Sequence, residues 1–84
     1  MKPVKIYTTT YCGYCSRAKD FLRKKGVAYE EIDVTDNDEM RAQLVERTGR
    51  RTVPQIFIGE EAVGGYTDIV QLEQEGKLEP MLQA

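Results

Sequence analysis

Apolar positions along the chain change their spacing several times, and each change marks an element. VKIYT (4–8) gathers β-branched and aromatic residues and reads as a strand. Beyond it, Cys15, Ala18, Phe21, Leu22 and Lys25 recur at helical spacing, with Arg17, Lys19, Asp20, Arg23 and Lys24 on the opposite face. Gly26 follows where a glycine closes a helix. AYEEIDV (28–34) alternates as a second strand. DND (36–38) offers N-caps, and Met40, Leu44, Val45 and Thr48 predict a second helix ending at Gly49. QIFI (55–58) is a short apolar strand, and Gly59 and Glu60 turn the chain into EAV (61–63) as a hairpin. Gly64 and Gly65 precede a helix built on Ile69, Val70 and Leu72, with Gly76 at its end. Leu78, Met81 and Leu82 predict a terminal helical turn around Pro80.

This order, β-α-β, α, β-β, α, constrains the topology. A strand–helix–strand unit crosses over with the right hand, so the first two strands run parallel. The hairpin then adds antiparallel strands. The expectation is one α/β domain spanning 1–84, with a mixed sheet of about four strands flanked by three or more helices.

Composition narrows the function. At 84 residues, 40% hydrophobic and 31% charged, the chain has the make-up of an ordinary globular domain with a modest core. A net charge of -2 gives no electrostatic reason to expect nucleic acid or an anionic membrane as partner. No run approaches the roughly 20 apolar residues of a membrane span. The first residues, MKPVKIYTTT, lack the apolar centre of a secretory signal, so the expected address is the cytoplasm. Thiols are kept reduced there, which favours catalytic or metal-binding cysteines over a standing disulfide.

The chain has two cysteines, Cys12 and Cys15, both in TTTYCGYCS (8–16). Cys12 stands at the start of the first helix, where free N–H groups and the helix dipole favour a negative charge by about 0.3–2 kcal/mol. No histidine is present, which excludes a Cys–His dyad and leaves activation to backbone, helix and nearby cations. Thiol–disulfide exchange needs a thiolate and no separate general base. Cys15 lies about one turn further on and faces the core behind Cys12, a spacing that suits an attacking and a resolving thiol. Gly13 leaves the first sulfur open, and Tyr14 offers an aromatic wall beside it. Zinc would require four ligands, hence a dimer or carboxylates here. Two inert packed cysteines would explain Cys15 but not a cysteine at the helix mouth.

Two further stretches carry weaker signals. RRTVPQIFIG (50–59) sets Pro54 at the head of a strand, where a missing N–H is tolerated. The backbone of Val53 is then free to pair with an incoming extended peptide. Only about 5–6% of X-Pro bonds are cis, and nothing in the residues alone makes this one so. In GGYTDI (64–69), Thr67 is a good N-cap with Asp68 in the first turn, and no Glu or Gln follows to make a capping box. Amides behind two glycines suit a carboxylate, although an ordinary capped helix explains the same residues. Arg41, Arg47, Arg50 and Arg51 form either solvated cations around a helix end or a basic patch near the thiols.

With CGYC, TVPQIFI and GGYTD in this order, the chain resembles the dithiol glutaredoxins over essentially all its residues. The C-x-x-C pair alone is shared by many redox and metal proteins. The resemblance implies a thioredoxin-like fold and a glutathione-dependent oxidoreductase that reduces protein disulfides and protein–glutathione mixed disulfides. It assigns Cys12 as the nucleophile and Cys15 as the resolving thiol, and it makes Pro54 cis. Val53 would pair by its backbone with the cysteine of glutathione. Thr67 and Asp68 would hold the γ-glutamyl end, Asp68 taking the ammonium. Tyr14 would flank the tripeptide, Arg41 would meet the glycine carboxylate, and Thr52 and Gly65 complete the expected site. Implied partners are glutathione and disulfide-containing or glutathionylated proteins, with the chain a monomer.

Two positions depart from the family pattern. Gly13 replaces a frequent proline, and similar proteins lacking that proline sometimes share a [2Fe–2S] cluster between two subunits. Thr9 replaces a frequent lysine, removing a cation that Arg41 or Arg51 is expected to replace. The alternatives are therefore a glutathione-ligated [2Fe–2S] carrier, in which two copies of Cys12 and two glutathione thiols supply four thiolates, and a dithiol reductant coupled to thioredoxin reductase.

Overall fold

The computed structural model describes residues 2–83. Its elements run β1 (Val4–Thr8), α1 (Gly13–Lys24), β2 (Glu30–Asp33), α2 (Asp38–Thr48), β3 (Gln55–Ile58), β4 (Glu61–Gly64), α3 (Tyr66–Gln74) and α4 (Leu78–Gln83). The four strands form one mixed sheet in the order β2-β1-β3-β4. β1 lies parallel to β2, with Lys5 opposite Glu30 and Thr8 opposite Asp33. β3 runs antiparallel to β1, with Val4 opposite Ile58 and Tyr7 opposite Gln55, and β4 folds back along β3. The expected α/β architecture is present, with β2 beginning at Glu30 rather than at residue 28.

Side chains alternate across a sheet, so neighbours in a central strand enter different cores. Ile6, Ile56 and Ile58 join Val4, Ala18, Leu22, Ile69, Leu78 and Leu82, which places α1, α3 and α4 over one face. Tyr7 and Phe57 turn the other way and pack with Val34 and Leu44, which places α2 over the opposite face. All four residues of β3 are buried, as a central strand requires, whereas β2 is mostly exposed.

The helix ends follow local chemistry. Asn37 caps α2 by accepting the Met40 N–H at 3.0 Å, and Gly49 closes it in the left-handed region at φ 73°. Pro80 lies in the first turn of α4, where its missing N–H costs no helical bond. The start of α3 differs from expectation. Its N-cap is Gly65, not Thr67, and Thr67 sits inside the first turn. The cause is Asp68, whose Oδ2 accepts the Gly65 N–H at 2.8 Å and draws the helix start back. Aspartate here performs the reach-back half of a capping box; glycine has no side chain for the other half. Among the described residues no helix is long and apolar enough to cross a membrane.

Candidate active site

The turn from β1 into α1 carries the thiols. Cys12 is the N-cap of α1 in an extended conformation, so its sulfur faces the free amides of the first turn. Its Sγ accepts the Cys15 N–H at 3.3 Å, and its thiol lies 3.4 Å from the Val53 carbonyl. Cys12 is half-buried, Cys15 is 1% exposed, and both are free thiols. Burial, then the hydrogen bond with Cys12, pushes the Cys15 thiol up to about 12, against a backbone hydrogen bond from Thr9. The pair is thus unequal: one sulfur is reachable and accepts a backbone N–H, the other is buried and protonated at neutral pH. That asymmetry suits an exchange in which the outer sulfur meets the substrate.

The chain between α2 and β3 supplies the wall facing Cys12. Val53 lies outside every strand, and the Val53–Pro54 bond is cis, as the family resemblance implied. A cleft of 370 Å³ beside them is lined by Tyr14, Arg50, Thr52, Val53, Pro54, Gly65, Tyr66, Thr67 and Asp68. Seven of the positions expected from sequence therefore converge here. Arg41 does not line this cleft. It borders a neighbouring cavity of 210 Å³ with Arg51 and Gln55, and the two spaces share Arg50 and Val53.

Two cleft residues were not among the expected site residues, although Arg50 was counted in the possible basic patch. Tyr66 sets its ring 6.4 Å from that of Tyr14, and the Arg17 guanidinium lies 5.3 Å from the centre of the Tyr14 ring. The aromatic after GG was the available signal for Tyr66. Arg50 donates through Nη1 to Asp68 Oδ2 at 2.9 Å and is the arginine that lines the cleft. The Gly65 amide, followed by Arg50, holds the Asp68 carboxyl below its usual range. Gly64 makes this arrangement possible. At φ 107°, a β-carbon on it would stand 2.4 Å from Asp68 Oδ2. Thr9, at the position of the frequent lysine, is buried behind the thiols, and its hydroxyl has no partner among the described residues. No group of three or more His, Cys, Asp or Glu among those residues is placed to hold a metal ion.

Comparisons with known proteins agree with this geometry. The family model described as Glutaredoxin matches residues 4–63. The chain is 51% identical over 84 residues to a glutaredoxin of Pseudomonas aeruginosa, covering 100% of both. It is 43% identical over 83 residues to glutaredoxin 3 of Escherichia coli K12, covering 99% of this chain and 100% of that one. Its backbone matches that of a buckwheat glutaredoxin–glutathione complex with a TM-score of 0.91 at 39% identity, over 98% of this chain and 77% of the other. A paired C-x-x-C at a helix mouth, a facing cis-proline turn and these full-length similarities lead to one conclusion: the chain belongs to the glutaredoxin family and is a glutathione-dependent thiol–disulfide oxidoreductase.

Proposed function

We propose that this chain, acting as a single-domain monomer in the cytoplasm, reduces protein–glutathione mixed disulfides and protein disulfides through Cys12. The Cys12 thiolate attacks the glutathione sulfur of a mixed disulfide. The old S–S bond breaks, a Cys12–glutathione bond forms, and the protein thiolate departs and takes a proton from water. A second glutathione thiolate then attacks the glutathione sulfur on Cys12, leaving oxidised glutathione and restoring Cys12. With a protein disulfide, the protein's second thiol remains tethered, and Cys15 displaces the product by attacking the Cys12 sulfur. Two glutathione molecules then reduce the Cys12–Cys15 disulfide. The mixed-disulfide route consumes one glutathione thiol and the protein-disulfide route two, and each releases one molecule of oxidised glutathione.

The cleft beside Cys12 is read as the glutathione site. Asp68 takes the γ-glutamyl ammonium. The Thr67 hydroxyl and first-turn amides of α3 take its carboxylate, and the Val53 backbone pairs with the cysteine residue. Tyr14, Thr52, Pro54 and Gly65 shape the walls. Arg41 meets the glycine carboxylate from the adjoining cavity. The structural neighbour from buckwheat, seen in a glutathione complex, supports glutathione as the ligand. The observation that carries this reading is the unequal thiol pair, with Cys12 reachable and Cys15 1% exposed.

The test is mass spectrometry of Cys15→Ser after exposure to oxidised glutathione. One tripeptide on Cys12, with deglutathionylation retained, is expected, while Cys12→Ser loses the activity. A Cys15→Ser protein that takes up no tripeptide overturns the assignment.

A further inference from the structure

Gln55, the first residue of β3, is a polar side chain only 4% exposed. A carboxamide buried to that degree must satisfy two N–H donors and a carbonyl oxygen inside the protein. Its Nε2 donates to the carbonyl of Arg50 at 2.8 Å and to that of Thr52 at 3.0 Å. Its Oε1 lies 3.0 Å from the Thr48 hydroxyl, whose one proton is shared between Oε1 and the Leu44 carbonyl at 2.8 Å. The orientation is determined by these partners, since a flipped amide would set its oxygen against two carbonyl oxygens. Thr48 Oγ1 also accepts the Arg50 N–H at 3.1 Å, so Arg50 is tied on both sides of its peptide backbone.

The segment so fastened is the one that faces the thiols. It lies between α2 and β3, outside any ladder, and its proline has no N–H to offer one. Within it, the Val53 carbonyl stands 3.4 Å from Cys12 Sγ, and Arg50 Nη1 stands 2.9 Å from Asp68 Oδ2. Gln55 lines the adjoining cavity but makes no hydrogen bond to Cys12 or Asp68 among the described residues. We propose that Gln55 is a positioning residue for glutathione: its forked donation to Arg50 and Thr52 sets the loop so that the Val53 backbone and the Arg50–Asp68 pair meet the tripeptide. The inference rests on reading the cleft as the glutathione site. A residue with one donor would leave one of the two carbonyls unheld. An apolar residue would leave both.

The decisive variant is Gln55→Met, which keeps length and volume and removes both donors. The apparent KM for glutathione should rise about 5–20-fold, the scale of one or two neutral hydrogen bonds. kcat at saturating glutathione should stay within about twofold, because the thiols are untouched. Asp68→Asn serves as the reference for the site. If Asp68→Asn raises KM and a folded Gln55→Met does not, the inference falls and the site reading stands. If neither raises KM, the site reading falls and takes the inference with it. Should Gln55→Met fail to fold, Thr48→Val and Thr48→Ser decide. Thr48→Val, which removes the partner of Gln55 Oε1 and the acceptor of the Arg50 N–H, should raise KM, and Thr48→Ser, which keeps the hydroxyl, should restore it. Equal KM values for the two overturn the proposal, as does a fall in kcat without a change in KM.

Discussion

At Thr9, 5% exposed, the fold encloses a hydroxyl that hydrogen-bonds to no described residue. An enclosed hydroxyl without a partner costs about 1–3 kcal/mol. Thr9→Val, equal in shape and without that group, should raise stability by about 1 kcal/mol. Urea unfolding checks this, and a midpoint at or below that of the parent counts against it. The two cysteines were legible because they are the chain's only thiols and their spacing suits an attacking and a resolving sulfur. Arg50 was not. It stands beside Arg51 with identical chemistry, and only the course of the loop decides which guanidinium turns toward Asp68. Arg41 borders the neighbouring space instead of the cleft.

At the scale of the element, the opening turn of α3 links stability to acidity. The Gly65 N–H and the Arg50 guanidinium favour the charged form of Asp68 and hold its carboxyl below the usual range. The unfolded chain carries an ordinary aspartate, near about 3.9. The folded state therefore gains from the anion above that value, and the gain fades as pH falls through the lower folded value. The pH dependence of the urea midpoint between pH 7 and 2 should flatten at its acid end in Asp68→Asn. The effect is modest because the side chain is 37% exposed. An acid limb identical to that of the parent would remove Asp68 from this account. The helix itself was predicted correctly from Ile69, Val70 and Leu72, but its cap was placed two residues late. Thr67 is the better N-cap by side chain, and the sequence rule looks for Glu or Gln at the reach-back position. A shorter aspartate fills that role because glycines bring the backbone close.

For the molecule as a whole, the larger core reaches beyond the span matched by the family model, residues 4–63. Ile69, Leu78 and Leu82 are each 1% exposed in it, and the Lys2 N–H donates to the Leu82 carbonyl at 2.8 Å. Lys25, just after α1, is paired with Glu73 on α3 and lies 3.8 Å from Glu79 on α4, which ties three helices to one face. The short terminal helix is part of the core, so Leu78→Ala should cost about 2–5 kcal/mol in chemical denaturation. A loss under about 0.5 kcal/mol, the level of an ordinary surface substitution, would show α4 to be dispensable. Element order and the parallel pair were readable from periodicity and crossover handedness. That β3 inserts beside β1 follows from burial on both faces of QIFI, which a four-residue apolar run hints at but does not fix. The sheet order leaves β2 and β4 at its rims, each four residues long, with Glu30, Glu31, Asp33 and Glu61 all exposed there. Two copies approaching rim to rim bring carboxylates together, so at neutral pH the sheet resists growing by aggregation, and acidification lifts that safeguard.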